Sequence, residues 1–246
     1  MSPNRVTDYG KDKGRELKRR VLTLLTAKDF DGGLIELSGL PPRRVINPLL
    51  SFLMYHDELV CRRAVTAIGA LVGRLADTDM EGARVIVRRL MWSLNDESGG
   101  VGWGAPEAMG EIIARHPGLA AEYSPILVSY MHEDGNFLEY EPLRRGLMWG
   151  LARAVETRSP LLRDAVRYLP PYLDAVDPST RFSAAVAAGL LGAEQCSERL
   201  GRLRDDETEV RVYRDGVFTY LKVRDAAEEA LAGLDRQKAD DLTLGD

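Results

Sequence analysis

The chain has 246 residues, 45% hydrophobic and 29% charged, which is ample apolar material for one large domain or a modest repeat array and too much for a disordered chain. A formal charge of −5 and a pI near 5.4 disfavour a surface built as a whole to grip nucleic acid. Cys61 and Cys196 stand far apart and outside any CxxC spacing, so they offer neither a zinc framework nor a disulfide scaffold and read as buried thiols in a reducing compartment.

Residues 1–13 are polar and predict a disordered tail without an apolar signal region. No apolar run approaches the roughly 18 residues a bilayer requires, so a cytoplasmic protein with no membrane contact is expected. Residues 14–40 predict capping helices: Leu17, Val21, Leu24 and Leu25 share one face of a helix over 14–27, and a short helix follows near 30–37. From 41 to 235 the chain becomes periodic. Segments beginning at Ala64, Ala105, Arg145, Ala184 and Ala227 align, with Gly69, Gly110, Gly150, Gly189 and Ala232 at their sixth positions, at offsets of 41, 40, 39 and 43 residues. A period near 40 residues is that of two-helix HEAT units rather than of the shorter ankyrin or tetratricopeptide repeats. A small residue recurring on one helix stripe, beside Ala64 and Ala67, Ala105 and Ala108, or Ala184 and Ala187, sets the distance at which neighbouring helices stack.

The pattern predicts helix pairs over 42–55 with 58–75, 79–94 with 103–116, 121–132 with 142–157, 161–175 with 178–191, and 194–203 with 223–234. Asp57, Asp96, Asp134, Asp177 and Asp206 fall ahead of the second helices, where a carboxylate accepts from free backbone N–H groups or stabilises the turn. In the last pair, Asp215-Gly216 between β-branched and aromatic runs predicts a small inserted β-hairpin. Residues 236–246 are polar and predict a flexible tail. The fold class is therefore all-α, a right-handed α-solenoid of about five helix pairs.

An acidic turn followed by Val-Arg, alanines and a Leu-Gly-like pair resembles the phycobilisome-lyase-like variant of the HEAT repeat. Val223-Arg224-Asp225-Ala226-Ala227-Glu228-Glu229-Ala230-Leu231 is the best match, and 177–189 is a second. The stretches 93–112 and 134–150 also resemble an uncharacterised bacterial family of HEAT-like proteins. The resemblance spans about residues 42–235 and implies the fold. For function it implies scaffolds and adaptors, with a lyase-like enzyme or chaperone handling a tetrapyrrole as the alternative.

Two junctions depart from plain turns. Residues 95–104 hold four glycines, at 99, 100, 102 and 104, with Trp92 and Trp103 at the flanks. Such a loop lets a ligand approach the backbone, or merely accommodates a bulky indole. One repeat later, 133–145 carries Asn136, Phe137, Glu139, Tyr140, Arg144 and Arg145, with Trp149 beyond. The two loops are expected to project side by side from one edge, with Glu107 facing Arg144, Asn136 or Tyr140. Trp and Arg are typical interface anchors, so Trp92, Glu97, Trp103, Glu107, Asn136, Phe137, Glu139, Tyr140, Arg144, Arg145 and Trp149 form the candidate binding set for another protein or a small ligand. The competing reading is a set of ion pairs and core tryptophans that only stabilises stacking.

His132-Glu133 and His56-Asp57 resemble the His-Glu pairs of the HEAT-like deoxyhypusine hydroxylase. One true pair among three histidines departs from that pattern, so neither a metal nor another cofactor is expected. Arginine doublets at 43–44, 62–63, 88–89 and 144–145 resemble the basic face of HEAT-like DNA glycosylases. Adjacent helical residues point about 100° apart, which breaks a continuous stripe and makes nucleic acid an unfavoured partner. A catalytic set is not evident.

Overall fold

A computed structural model describes residues 14–94 and 102–244. The expected tail over 1–13 and most of the glycine-rich junction, including Asp96 and Glu97, lie outside the described residues. The chain opens with α1 (Gly14–Leu25) and α2 (Phe30–Ser38), where Leu17, Val21 and Leu25 are buried and Asp29 caps α2 through the Gly32 N–H. Five helical units follow: α3 (Pro42–Phe52) with α4 (Glu58–Ala76), α5 (Met80–Leu94) with α6 (Ala105–Arg115), and α7 (Pro117–Ser129) with α8 (Glu141–Arg158). Next come a 3-10 segment (Ser159–Tyr168) and α9 (Pro170–Leu173) with α10 (Pro178–Leu191), then α11 (Ser197–Leu203) with α12 (Val223–Leu244). The molecule is an all-α solenoid carrying one two-stranded sheet. Among the described residues no helix is long and apolar enough to cross a membrane.

The glycine column is the spine of the stack. Gly110 on α6 meets Gly150 on α8 backbone to backbone, and a methyl group on Gly150 would lie 2.6 Å from the Pro106 carbonyl oxygen. Gly189 on α10 meets Ala230 on α12 in the same way, and Gly69 on α4 lies against Glu111 of α6. The alanines beside them are buried. Ala232, the last member of the column, is exposed.

The aspartates divide by role. Asp57 accepts from Leu59 and Val60 N–H at the start of α4, and Asp177 from Thr180 N–H at the start of α10. Asp134 does not cap α8: that helix begins after Tyr140, which provides no side-chain cap. Asp206 holds a turn by accepting from Thr208 N–H.

Two elements differ from expectation. The first helix of the fourth unit is broken into a 3-10 segment and a single α-turn at Leu169-Pro170-Pro171, where consecutive prolines remove two backbone N–H donors while Leu169 itself keeps helical angles, φ −67° and ψ −35°. The last helix continues past residue 235 to Leu244. The hairpin forms as β1 (Glu209–Arg214) and β2 (Val217–Lys222), antiparallel with Arg214 opposite Val217. Asp215 and Gly216 have φ of 50° and 79°, both positive, as a two-residue type I′ turn requires.

Candidate functional site

Each second helix follows a first helix that returns the chain, so α4, α6, α8, α10 and α12 run parallel, and their N-termini share one edge. Their inner faces carry residues at helical spacing: Glu58, Arg62 and Thr66 on α4; Glu111 and Arg115 on α6; Arg145, Trp149 and Arg153 on α8. The hairpin leaves the shared edge from the last unit and folds back across this inner face to the first. There Tyr213 Oη and Thr66 Oγ1 are hydrogen-bonded at 3.0 Å, and Arg211 pairs with Glu58. The hairpin turn rests on Phe30, since a methyl group on Gly216 would come within 2.6 Å of that ring. Arg63 locks the contact. Its buried guanidinium donates to the Gly216 carbonyl at 2.9 Å and to the Leu25 and Ala27 carbonyls at 2.8 Å each, and lies 4.7 Å from the Phe30 ring centre.

Between the hairpin and the helices is a cavity of about 590 Å³. Its lining combines rings, Trp149, Tyr213 and Phe218 among them, with arginines. Arg62 lies 5.4 Å from the Trp149 ring centre, and Arg211 lies 4.0 Å from that of Phe218. Glu111, almost fully buried, receives Arg115 at 2.6 Å and Arg153 at 2.7 Å, and Arg153 also reaches Glu156 at 2.9 Å. Burial opposes the charge on Arg153, but Glu111 and Glu156 outweigh it and raise its pKa. Burial pushes the Tyr213 hydroxyl up to about 12, so it stays protonated and able to donate to Thr66 near neutral pH.

The expected binding residues fall into two groups. At the edge the two loops touch as expected: Trp103 and Tyr140 meet edge to face at 5.7 Å, and Arg144 lies 5.7 Å from the Phe137 ring centre. Trp92, Asn136, Glu139 and Tyr140 are exposed there, and Trp103 is half-buried. Arg145 and Trp149 instead line the inner cavity. Glu107 does not face Arg144, Asn136 or Tyr140: it reaches back one repeat to Arg62 at 3.0 Å, with its other carboxylate oxygen pressed against Gly146, where a methyl group would lie 2.5 Å away. Glu97 lies outside the described residues. His132 stacks on Tyr168 at 4.0 Å and His116 Nδ1 caps α7 by accepting from Leu119 N–H, so both rings have structural roles. The doublets split as geometry requires, Arg62 toward Glu107 and Arg63 toward backbone carbonyls.

Sequence reasoning missed the inner-face residues Arg62, Glu111, Arg115, Arg153 and Tyr213. A signal existed: the four-residue spacings 58/62/66, 107/111/115 and 145/149/153 lie on second helices away from the glycine stripe. That the hairpin returns to cover them has no comparable signal.

No family model matches the chain. A curated relative, an uncharacterised protein of Archaeoglobus fulgidus, is 26% identical over 181 residues, covering 74% of this chain and 92% of its own. Among solved structures, an engineered protein from the Northeast Structural Genomics Consortium has a TM-score of 0.50 at 17% identity, covering 90% of this chain and 97% of that one. A designed armadillo repeat protein aligns at TM-score 0.47 and 21% identity over 89% of this chain and 100% of its own. The archaeal HEAT-like repeats protein from Thermococcus onnurineus NA1 aligns at 0.40 and 16% over 91% and 80%. The all-α solenoid itself is read from the stacked helix pairs, and the engineered protein shares that fold.

Proposed function

We propose that this chain is a non-catalytic interaction module that docks another protein along the edge formed by the N-termini of its second helices. One observation carries the reading. Met54, Tyr140 and Val176, from three of the junctions, and Trp92, from the last turn of α5 at the second, are large apolar residues between 49% and 89% exposed. With helices stacked about 8–10 Å apart, they form a row roughly 30 Å long. Large exposed apolar residues recurring along one edge suit an interface, and aromatic rings flanked by arginine, here Trp103 and Tyr140 beside Phe137 and Arg144, are the anchors interfaces favour.

The test is site-directed photocrosslinking in the source cells, with a photoreactive residue in place of Trp92, Tyr140 or Val176, and in place of the exposed Arg163 on the fourth unit's first segment as control. The expected result is one common adduct from the three edge positions and none from 163. That adduct is expected to fade when Trp92→Ser and Tyr140→Ser are combined with the probe at 176. Equal labelling from 163, or adducts unaffected by the double substitution, would count against the edge.

A further inference from the structure

The cavity under the hairpin has a charge pattern of its own. Three of its carboxylates are taken up by arginines: Glu58 by Arg211, Glu111 by Arg115 and Arg153, and Glu156 by Arg153. Asp31, Asp215 and Arg214 line the end where the hairpin turn meets α2. At the α8 end the lining arginines are Arg62 and Arg145. Arg62 is matched by Glu107, at the floor beside the cavity, whereas Arg145 has no carboxylate partner among the described residues. One positive charge is therefore in excess there, one helical turn from Trp149, whose half-buried ring also lines the cavity.

We propose that this cavity binds an organic carboxylate with an apolar body, its carboxylate held by the Arg145 guanidinium and its body laid against Trp149 beneath the hairpin. A planar guanidinium fork pairs with a carboxylate through two parallel hydrogen bonds. A single excess charge matches a monoanion rather than a dianionic phosphate monoester. A volume of about 590 Å³ is far more than a bare anion occupies and lies in the range of pockets that enclose small organic ligands. The site is independent of the docking edge, because Arg145 and Trp149 face inward while Trp92 and Tyr140 stand exposed at the rim.

Two sources present this chemistry, a free small acid and the C-terminus of a polypeptide, and titration calorimetry on the full chain separates them. The probes are 3-phenylpropanoate, N-acetyl-Gly-Gly-Phe and the C-terminal amide of that tripeptide. Saturable one-site binding of at least one acid is expected, with none of the amide. Arg145→Gln, at an exposed position outside the core, is expected to weaken binding roughly tenfold or more. Binding of 3-phenylpropanoate alone assigns a free acid, binding of the tripeptide alone a chain terminus, and binding of both a site open to either. The Trp92→Ser, Tyr140→Ser double variant is expected to bind the acid as wild type does, which keeps this test separate from that of the edge. Failure of both acids to bind, equal binding of the amide, or undiminished binding by Arg145→Gln would overturn the proposal.

Discussion

Gly110 and Gly150 touch backbone to backbone, so a side chain at either must push two helices apart. Gly110→Ala is expected to cost about 3 kcal/mol, the upper end of overpacking penalties because the obstacle is main chain and not a movable side chain. Gly201, inside α11, has nothing within 4 Å of a would-be methyl group, so Gly201→Ala is expected to stabilise by about 0.5–1 kcal/mol through helix propensity alone. Urea titrations of both variants check the opposite signs. Gly110 and Gly150 were legible because periodicity marks them. Arg63 was not, because it binds carbonyls, which every residue carries, on segments 38, 36 and 153 positions away. Arg63→Met leaves those acceptors without their charged donor and is expected to cost about 2–4 kcal/mol, with faster amide exchange at both 25–30 and 209–222.

At the scale of elements, the hairpin shows where sequence reading stops. Asp-Gly between strand-like runs announces a type I′ turn from purely local chemistry, whereas the surface it lands on depends on the curvature of five stacked units. The broken first segment of the fourth unit was foreshadowed by its proline pair, yet the apolar spacing over 161–175 suggested an unbroken helix. At the candidate site, the Trp103 and Tyr140 contact followed from repeat register, while the inward placement of Arg145 and Trp149 followed from the face of α8 on which they lie. The root of the hairpin also makes a pH-dependent contact. Asp206 accepts from Arg181 at 2.6 Å and from Thr208 N–H at 3.0 Å; burial works against its charge, but these hydrogen bonds prevail and hold its pKa below the ordinary carboxylate value. A depressed folded-state pKa gives stability that is full above the unfolded value and lost as pH falls through the folded one. Stability is therefore expected to decline below about pH 4. Asp206→Asn is expected to lower the urea midpoint at pH 7 and to flatten its acid dependence, with amide exchange over 206–222 as the local readout.

For the whole molecule the consequence is closure. An open solenoid is held by neighbour contacts alone, so its ends fray and its stability is a sum of repeat and interface terms. Here the hairpin of the last unit is bound to the first unit and to the N-terminal helices through Arg63, Tyr213, Arg211 and Phe30. Residues 153 positions apart are joined, and the two ends can no longer open independently without breaking a shared contact. The closing entropy of so long a loop grows only slowly with its length, so a modest set of buried contacts is enough to hold it. Wild type is accordingly expected to unfold in urea as one transition, with α1, α2 and α11 exchanging amides at similar rates. Replacing 209–222 by a short Gly-Ser turn removes the strap without touching the glycine spine. That variant is expected to keep its helical circular dichroism while its transition broadens and its apparent m-value falls, because repeats then melt from the ends. Exchange should rise first in α1 and α2, the elements distant in sequence from the deletion, and only later in α6 and α8. If the variant instead unfolds as sharply as wild type, with α1 and α2 equally protected, the neighbour contacts alone set the cooperativity, and the strap serves only to roof the cavity.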